Sequence, residues 1–136
     1  MHTATYQGGC LCGALRYRAS GTATNLCCCH CRSCRLHSGA PFVAWATFER
    51  ASFELLSGEL RERESSKRAV RGFCAECGTA ITYKPTLRGS EIDVSLATLD
   101  DPNVLAPEFH IWTSQKPDWV LLGDGLPQYE EWKPLS

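Results

Sequence analysis

Nine cysteines stand in three short-spaced groups: Cys10-Leu-Cys12, then Cys27, Cys28, Cys29, Cys31 and Cys34, then Cys74-Ala-Glu-Cys77. The number is odd, and neighbours within a group are too close in sequence to pair comfortably as disulfides. Met1 to Gly9 has neither a basic start nor an apolar run, so no secretory signal is expected. No stretch approaches the roughly 18 apolar residues of a membrane span. A reducing cytoplasm is therefore the expected location, with no membrane contact. Thiols clustered in that compartment point to metal rather than to cross-links.

The outer two groups read as a matched pair of hooks. Cys74-Ala-Glu-Cys77 followed by Gly78 is a zinc knuckle, in which the chain turns tightly so that backbone N–H groups face the sulfurs; glycine takes the required positive φ without steric cost. Cys10-Leu-Cys12 followed by Gly13 supplies two more thiols. Four thiolates at about 2.3 Å make a closed tetrahedral structural site. Such an ion would staple the start of the chain to its middle, which helps a chain this short. A redox C-x-x-C would want a βαβ context that the sequence lacks.

The chain of 136 residues suits one domain over 1–136, and its formal charge of −1 predicts no bulk attraction to nucleic acid. The densest basic stretch, Arg61 to Arg71, alternates with Glu62 and Glu64 and reads as a solvated face. Short alternating or β-rich runs predict an all-β fold, with strands near 15–19, 41–48, 53–56, 78–83, 91–99 and 109–112. Ile92, Val94 and Leu96 are expected on one face. One short helix is predicted over 34–38, capped by Ser33 and stopped by Gly39, with a single further turn opening at Asp101-Pro102. The Pro-, Gly- and Trp-containing tail from Pro117 is expected to pack as irregular chain.

Within the middle group, Cys29, Cys31 and Cys34 form C-x-C-x-x-C, which can grip one face of an ion from one compact turn. A structural site wants a fourth protein ligand and a catalytic one leaves that corner open, so three ligands without an evident fourth suggest an open site. A replaceable ligand also makes this second ion the more labile. By alternation Cys27 points with Cys29 and Cys28 points away; both read as small core residues. His30 and His37 are left outside the ligand set. Arg32 and Arg35 flank the last ligand, where a cation offsets thiolate charge and can meet an anionic substrate. Trp45, Trp112 and Trp119 are candidates to wall a pocket, and His110 and Asp93 are candidates for proton transfer or substrate contact.

The pieces Gly8-Gly-Cys-Leu-Cys-Gly-Ala-Leu-Arg-Tyr17, Cys29-His-Cys-Arg-Ser-Cys-Arg35, Gly39-Ala-Pro-Phe42, Arg71-Gly-Phe-Cys-Ala-Glu-Cys-Gly-Thr79, Thr98-Leu-Asp-Asp-Pro102 and His110-Ile-Trp112 occur in order along nearly the whole chain. In these it resembles the glutathione-dependent formaldehyde-activating enzyme family, which also includes centromere protein V. The resemblance implies a β-tent of small antiparallel sheets around two zinc ions. In it Cys10, Cys12, Cys74 and Cys77 are structural, and Cys29, Cys31 and Cys34 catalytic. It further implies carbon–sulfur lyase chemistry, joining a glutathione-like thiol to an aldehyde such as formaldehyde or the reverse. The chain departs from the family in having Arg35-Leu36 where paired arginines are frequent.

On this reading the partner is a small thiol or aldehyde, with Arg32, Arg35 and His110 as substrate contacts; homo-oligomerisation is left open. The rival expectation is a non-catalytic binding module with both ions structural. A methionine sulfoxide reductase, which shares the β-tent, would need a late nucleophilic cysteine, and none follows Cys77.

Overall fold

The computed structural model describes residues 4–134. Ten strands, one α-helix and four 3-10 turns follow in the order β1 (Ala4–Gly9), β2 (Arg16–Gly21), β3 (Thr24–Cys29), α1 (Arg32–Ser38), β4 (Val43–Glu49), β5 (Phe53–Ser57), β6 (Leu60–Ser66), β7 (Ala69–Cys74), β8 (Ala80–Pro85), β9 (Glu91–Ser95) and β10 (Phe109–Ile111). The all-β expectation holds, although the sheets are unequal. A small sheet has the order β1-β2-β5, and a seven-stranded sheet runs β10-β3-β4-β9-β8-β7-β6. Every neighbouring pair is antiparallel except β10 with β3. No helix among the described residues is long and apolar enough to cross a membrane.

Strand alternation gives the large sheet two working faces. Paired residues share a face, so Ala46 with Val94 and Phe48 with Ile92 look toward the small sheet. There they join Leu15, Tyr17, Ala19, Ile81, Leu96 and Leu99 in the main core. Burying each of the larger side chains among these contributes about 1.5–3 kcal/mol. Ile92, Val94 and Leu96 do share this core, as their spacing predicts, but only the first two lie on the strand. The chain breaks from β9 into a 3-10 turn over Leu96–Thr98, where the Thr98 hydroxyl donates to the Ser95 carbonyl at 2.7 Å and meets Tyr17 Oη at 2.7 Å.

The opposite face carries Cys27 paired with Trp45, Cys29 with Val43, Thr47 with Asp93, Asp93 with Tyr83, and Tyr83 with Arg71. Phe109 and Ile111 of β10 extend the row beside Cys27 and Cys29. This face forms a second, smaller core around Cys27, Cys29, Cys34, Val43, Trp45, Phe109 and Ile111. β4 is therefore buried on both sides, which explains why Val43 to Phe48 is apolar or aromatic at every position but Thr47.

One local expectation is corrected. The helix begins at Arg32 rather than Cys34, because the Cys31 sulfur, not Ser33, caps it by accepting the Cys34 N–H at 3.3 Å. Gly39 closes it as expected, in the left-handed region at φ 68° with its N–H on the Arg35 carbonyl at 2.8 Å. Asp101-Pro102 does open a single turn, closed by the Val104 N–H on the Asp101 carbonyl at 3.3 Å and supported by Asp101 Oδ1, which accepts the Asn103 N–H at 2.9 Å. The tail is irregular, as predicted, apart from one bridge between Gln128 and His110.

Candidate metal centres and cavity

The outer hooks meet. Cys10 and Cys12 follow β1, Cys74 ends β7, and Cys77 lies in the turn beyond it; their sulfurs all lie within 4.8 Å of one another. Cys10 and Cys12 are 3.5 Å apart, and Cys12 and Cys74 4.0 Å. A tetrahedron of sulfurs at about 2.3 Å from a central ion has edges of about 3.8 Å. Gly13 and Gly78 sit at φ 82° and 81°, the turns that the flanking glycines foretold. Backbone N–H groups do face the sulfurs: Leu15 donates to Cys10 at 3.3 Å and Cys77 to Cys74 at 3.4 Å. The Thr79 hydroxyl and backbone hold the Cys77 thiol down at about 5.

The second cluster is Cys29, Cys31 and Cys34, again within 4.8 Å, at the junction of β3 and α1. No fourth histidine, cysteine or carboxylate joins it among the described residues. Hydrogen bonds from the Cys29 and Cys34 thiols, helped by the Cys34 N–H and Arg71, hold Cys31 far below the ordinary thiol range. The same crowding and burial push Cys29 far above it. Three thiols this close, two buried and one half-buried, can ionise together only with a cation among them, and the donor set suits a thiophilic metal ion.

These three sulfurs line a cavity of about 360 Å³. Its floor is the second face of the large sheet, with Cys27, Trp45, Thr47, Tyr83 and Asp93. Trp112, Trp132 and Lys133 supply another wall, where the indoles meet edge to face at 5.6 Å. Cys27 and Cys28 are both buried and stay outside either cluster. Burial, with Asp93 next, raises Cys27 to about 12, so it faces the cavity as a neutral thiol.

The cation that reaches the cluster is Arg71. It is 4% exposed, its Nη1 lies 3.5 Å from the Cys34 sulfur, its Nε donates to Ser65 Oγ at 3.1 Å, and it stacks 4.8 Å over the Tyr83 ring. The reading of Arg61 to Arg71 as a solvated face fails at this end, because β7 is an interior strand and Arg71 faces inward. No local signal marks it: only the pairing of β7 between β6 and β8 makes the strand interior. Arg88 also lines the cavity, bound to Asp93 at 3.1 Å and Glu91 at 2.8 Å. Burial raises the Asp93 carboxyl above its usual range although Arg88 and the Thr47 hydroxyl oppose the shift.

The other expected contacts lie elsewhere. Arg32 is exposed, with its backbone N–H on Gln115 Oε1 at 2.7 Å, and Arg35 is half-buried; neither lines the cavity. Of the tryptophans, Trp45 and Trp112 do line it, while Trp119 is exposed. His110 alternates with Phe109 and Ile111 and so turns away from the cavity. It is buried between His30, at 2.9 Å, and Asp124, at 2.7 Å. His37, outside both clusters as expected, lies edge-on to Phe73.

Comparison with known proteins agrees with this construction. Residues 5–115 match the sequence model of the glutathione-dependent formaldehyde-activating enzyme family. A protein of Schizosaccharomyces pombe described as an uncharacterised lyase is 35% identical over 81 residues, covering 60% of this chain. The match spans 58% of that relative's own length. A crystal structure of a Rhodobacter sphaeroides protein shares the fold, with a TM-score of 0.61 at 17% identity, over 90% of this chain and 98% of that one. With the family's stretch covering most of the ten strands and both thiol clusters, the chain belongs to the glutathione-dependent formaldehyde-activating enzyme family.

Proposed function

We propose that the protein is a zinc-dependent carbon–sulfur lyase that adds a glutathione-like thiol to an aldehyde such as formaldehyde, and runs the reverse reaction. One observation carries this reading. Three thiols converge on the wall of a cavity, with no fourth histidine, cysteine or carboxylate among the described residues to close the set. Cys10, Cys12, Cys74 and Cys77 would hold a structural zinc, and Cys29, Cys31 and Cys34 a second. Bound at the second cluster, zinc would lower the pKa of an incoming thiol and so present a nucleophile at neutral pH.

The protein's own groups do the rest. The aldehyde carbon gains a bond to sulfur, the carbonyl π pair moves to oxygen, and the proton shed by the thiol ends on that oxygen; no electron carrier is needed. Arg71 offsets the surplus charge of the thiolates through Cys34 and offers a cation to the developing alkoxide. Asp93, held by Thr47 at 2.6 Å, is the cavity carboxyl placed to carry the proton. Trp45, Trp112 and Trp132 limit water around the reacting atoms. The cavity beside the sulfurs favours this enzyme over a binding module.

The trial is direct. Zinc-loaded protein mixed with glutathione and formaldehyde, followed by carbon NMR, should form S-hydroxymethylglutathione faster than the buffer alone. A rate equal to that background overturns the assignment of these substrates.

A further inference from the structure

Two buried histidines and an exposed carboxylate form a hydrogen-bonded chain that starts next to the second cluster, and the reaction outlined above makes no use of it. Asp124 Oδ2 lies 2.7 Å from His110 Nε2, and His110 Nδ1 lies 2.9 Å from His30 Nε2. A carboxylate can only accept, so His110 donates from Nε2 and its Nδ1 is left as an acceptor. His30 then donates from Nε2, and its own Nδ1, fully buried beside the Phe42 ring at 4.7 Å, has no partner. Asp124 thus sets one tautomer along the whole chain.

Its two ends matter. His30 stands between Cys29 and Cys31, and its backbone N–H donates to the Ile111 carbonyl at 3.0 Å. His110 sits where the tail crosses β10: its N–H donates to the Pro127 carbonyl at 2.8 Å, and its carbonyl accepts the Tyr129 N–H at 2.9 Å. The same tail continues to Trp132 and Lys133 on the cavity wall. We propose that Asp124, His110 and His30 form a latch that positions the Cys29–Cys31 segment and ties it to the tail wall of the cavity. All three are positioning residues, since none lines the cavity.

The inference rests on Cys29, Cys31 and Cys34 holding an ion, not on the lyase reaction. The experiment removes zinc from the fully loaded protein with a chelator while iodoacetamide labels each cysteine as it is freed, read peptide by peptide. In Asp124→Ala, whose side chain is on an exposed loop, Cys29, Cys31 and Cys34 should label about 10-fold faster than in the parent, with Cys10, Cys12, Cys74 and Cys77 unchanged. Asp124→Asn keeps an acceptor for His110 and should return the rate to within about 2-fold. His110→Phe keeps the bulk of the ring but loses both the donor to Asp124 and the acceptor for His30, and should label at least as fast as Asp124→Ala does. Equal acceleration at both clusters would mean a general loss of stability and would overturn the latch. So would unaltered labelling in Asp124→Ala while the parent holds two zinc equivalents. One equivalent in the parent would overturn the latch and the second metal centre together, whatever the outcome of the lyase assay.

Discussion

The two thiol clusters are built from one kind of side chain and differ in what surrounds them. In the first, Cys12 and Cys77 are exposed, four sulfurs close on one another, and glycine turns bring backbone N–H groups to them. It joins the β1–β2 loop to the end of β7, two places far apart in the chain. In the second, Cys29 and Cys34 are buried, three sulfurs come from one short segment, and a cavity with an arginine and a carboxyl faces them. On the proposed reading, an ion in the first would spend every corner on holding the chain together. An ion in the second would tie together residues that are already neighbours, so it would add little to the fold and keep a corner for chemistry.

Single ligand replacements test that contrast with the largest effect. A structural zinc is worth about 10–16 kcal/mol in small zinc peptides, as much as the whole stability of about 5–15 kcal/mol of a typical domain. Cys74→Ser should therefore leave an unfolded chain by circular dichroism. Cys31→Ser should keep its β spectrum, bind one zinc fewer by elemental analysis, and lose adduct formation to the buffer rate. If Cys31→Ser unfolds as completely as Cys74→Ser, the division into stapling and working clusters is wrong.

Arg71 gives the next effect. A hydrogen bond from a charged group contributes about 1.5–3 kcal/mol, or roughly 10- to 150-fold. Arg71→Met should lower kcat/KM by that factor while leaving both zinc equivalents in place, and Arg71→Lys should recover part of it. A variant that keeps full activity would remove Arg71 from the chemistry.

What could be read from the sequence follows the range of the forces involved. Both thiol sets were legible because C-x-C and C-x-x-C are local patterns with one geometric use each. Alternation put Cys27 with Cys29 and Ile92 with Val94, since a strand's faces are set by parity alone. Arg71 was misread because its charge and its acidic neighbours suggest solvent, and only the seven-stranded order makes β7 interior. The contact between His30 and His110, 80 residues apart, depends on the parallel pairing of β10 with β3, which no local pattern announces. Cys31 displaced Ser33 as the helix cap because its sulfur, already turned toward Cys29 and Cys34, accepts the Cys34 N–H.

The smallest effect concerns charge inside the cavity. Asp93 is ionisable, nearly buried, and raised by that burial above the usual carboxyl range despite Arg88 and Thr47. The four-thiol cluster has no such acid in its set of close donors. For an acid raised in the folded state, the favourable contribution is complete below its unfolded pKa near 3.8 and is lost as pH rises through the folded value. The parent protein should thus lose stability relative to Asp93→Asn as pH is raised from near 3.8 through the raised folded value, compared over the range in which both proteins keep their zinc by elemental analysis. Urea unfolding of the two zinc-loaded proteins across that range measures the difference directly. Asparagine also gives up the ion pair with Arg88, which is a constant offset once Asp93 is ionised; the slope with pH is the quantity that decides. A gap that widens in favour of the parent as pH rises would mean that Arg88 outweighs burial. Asp93 would then be a fixed anion, and the proton carrier of the cavity would have to be sought elsewhere.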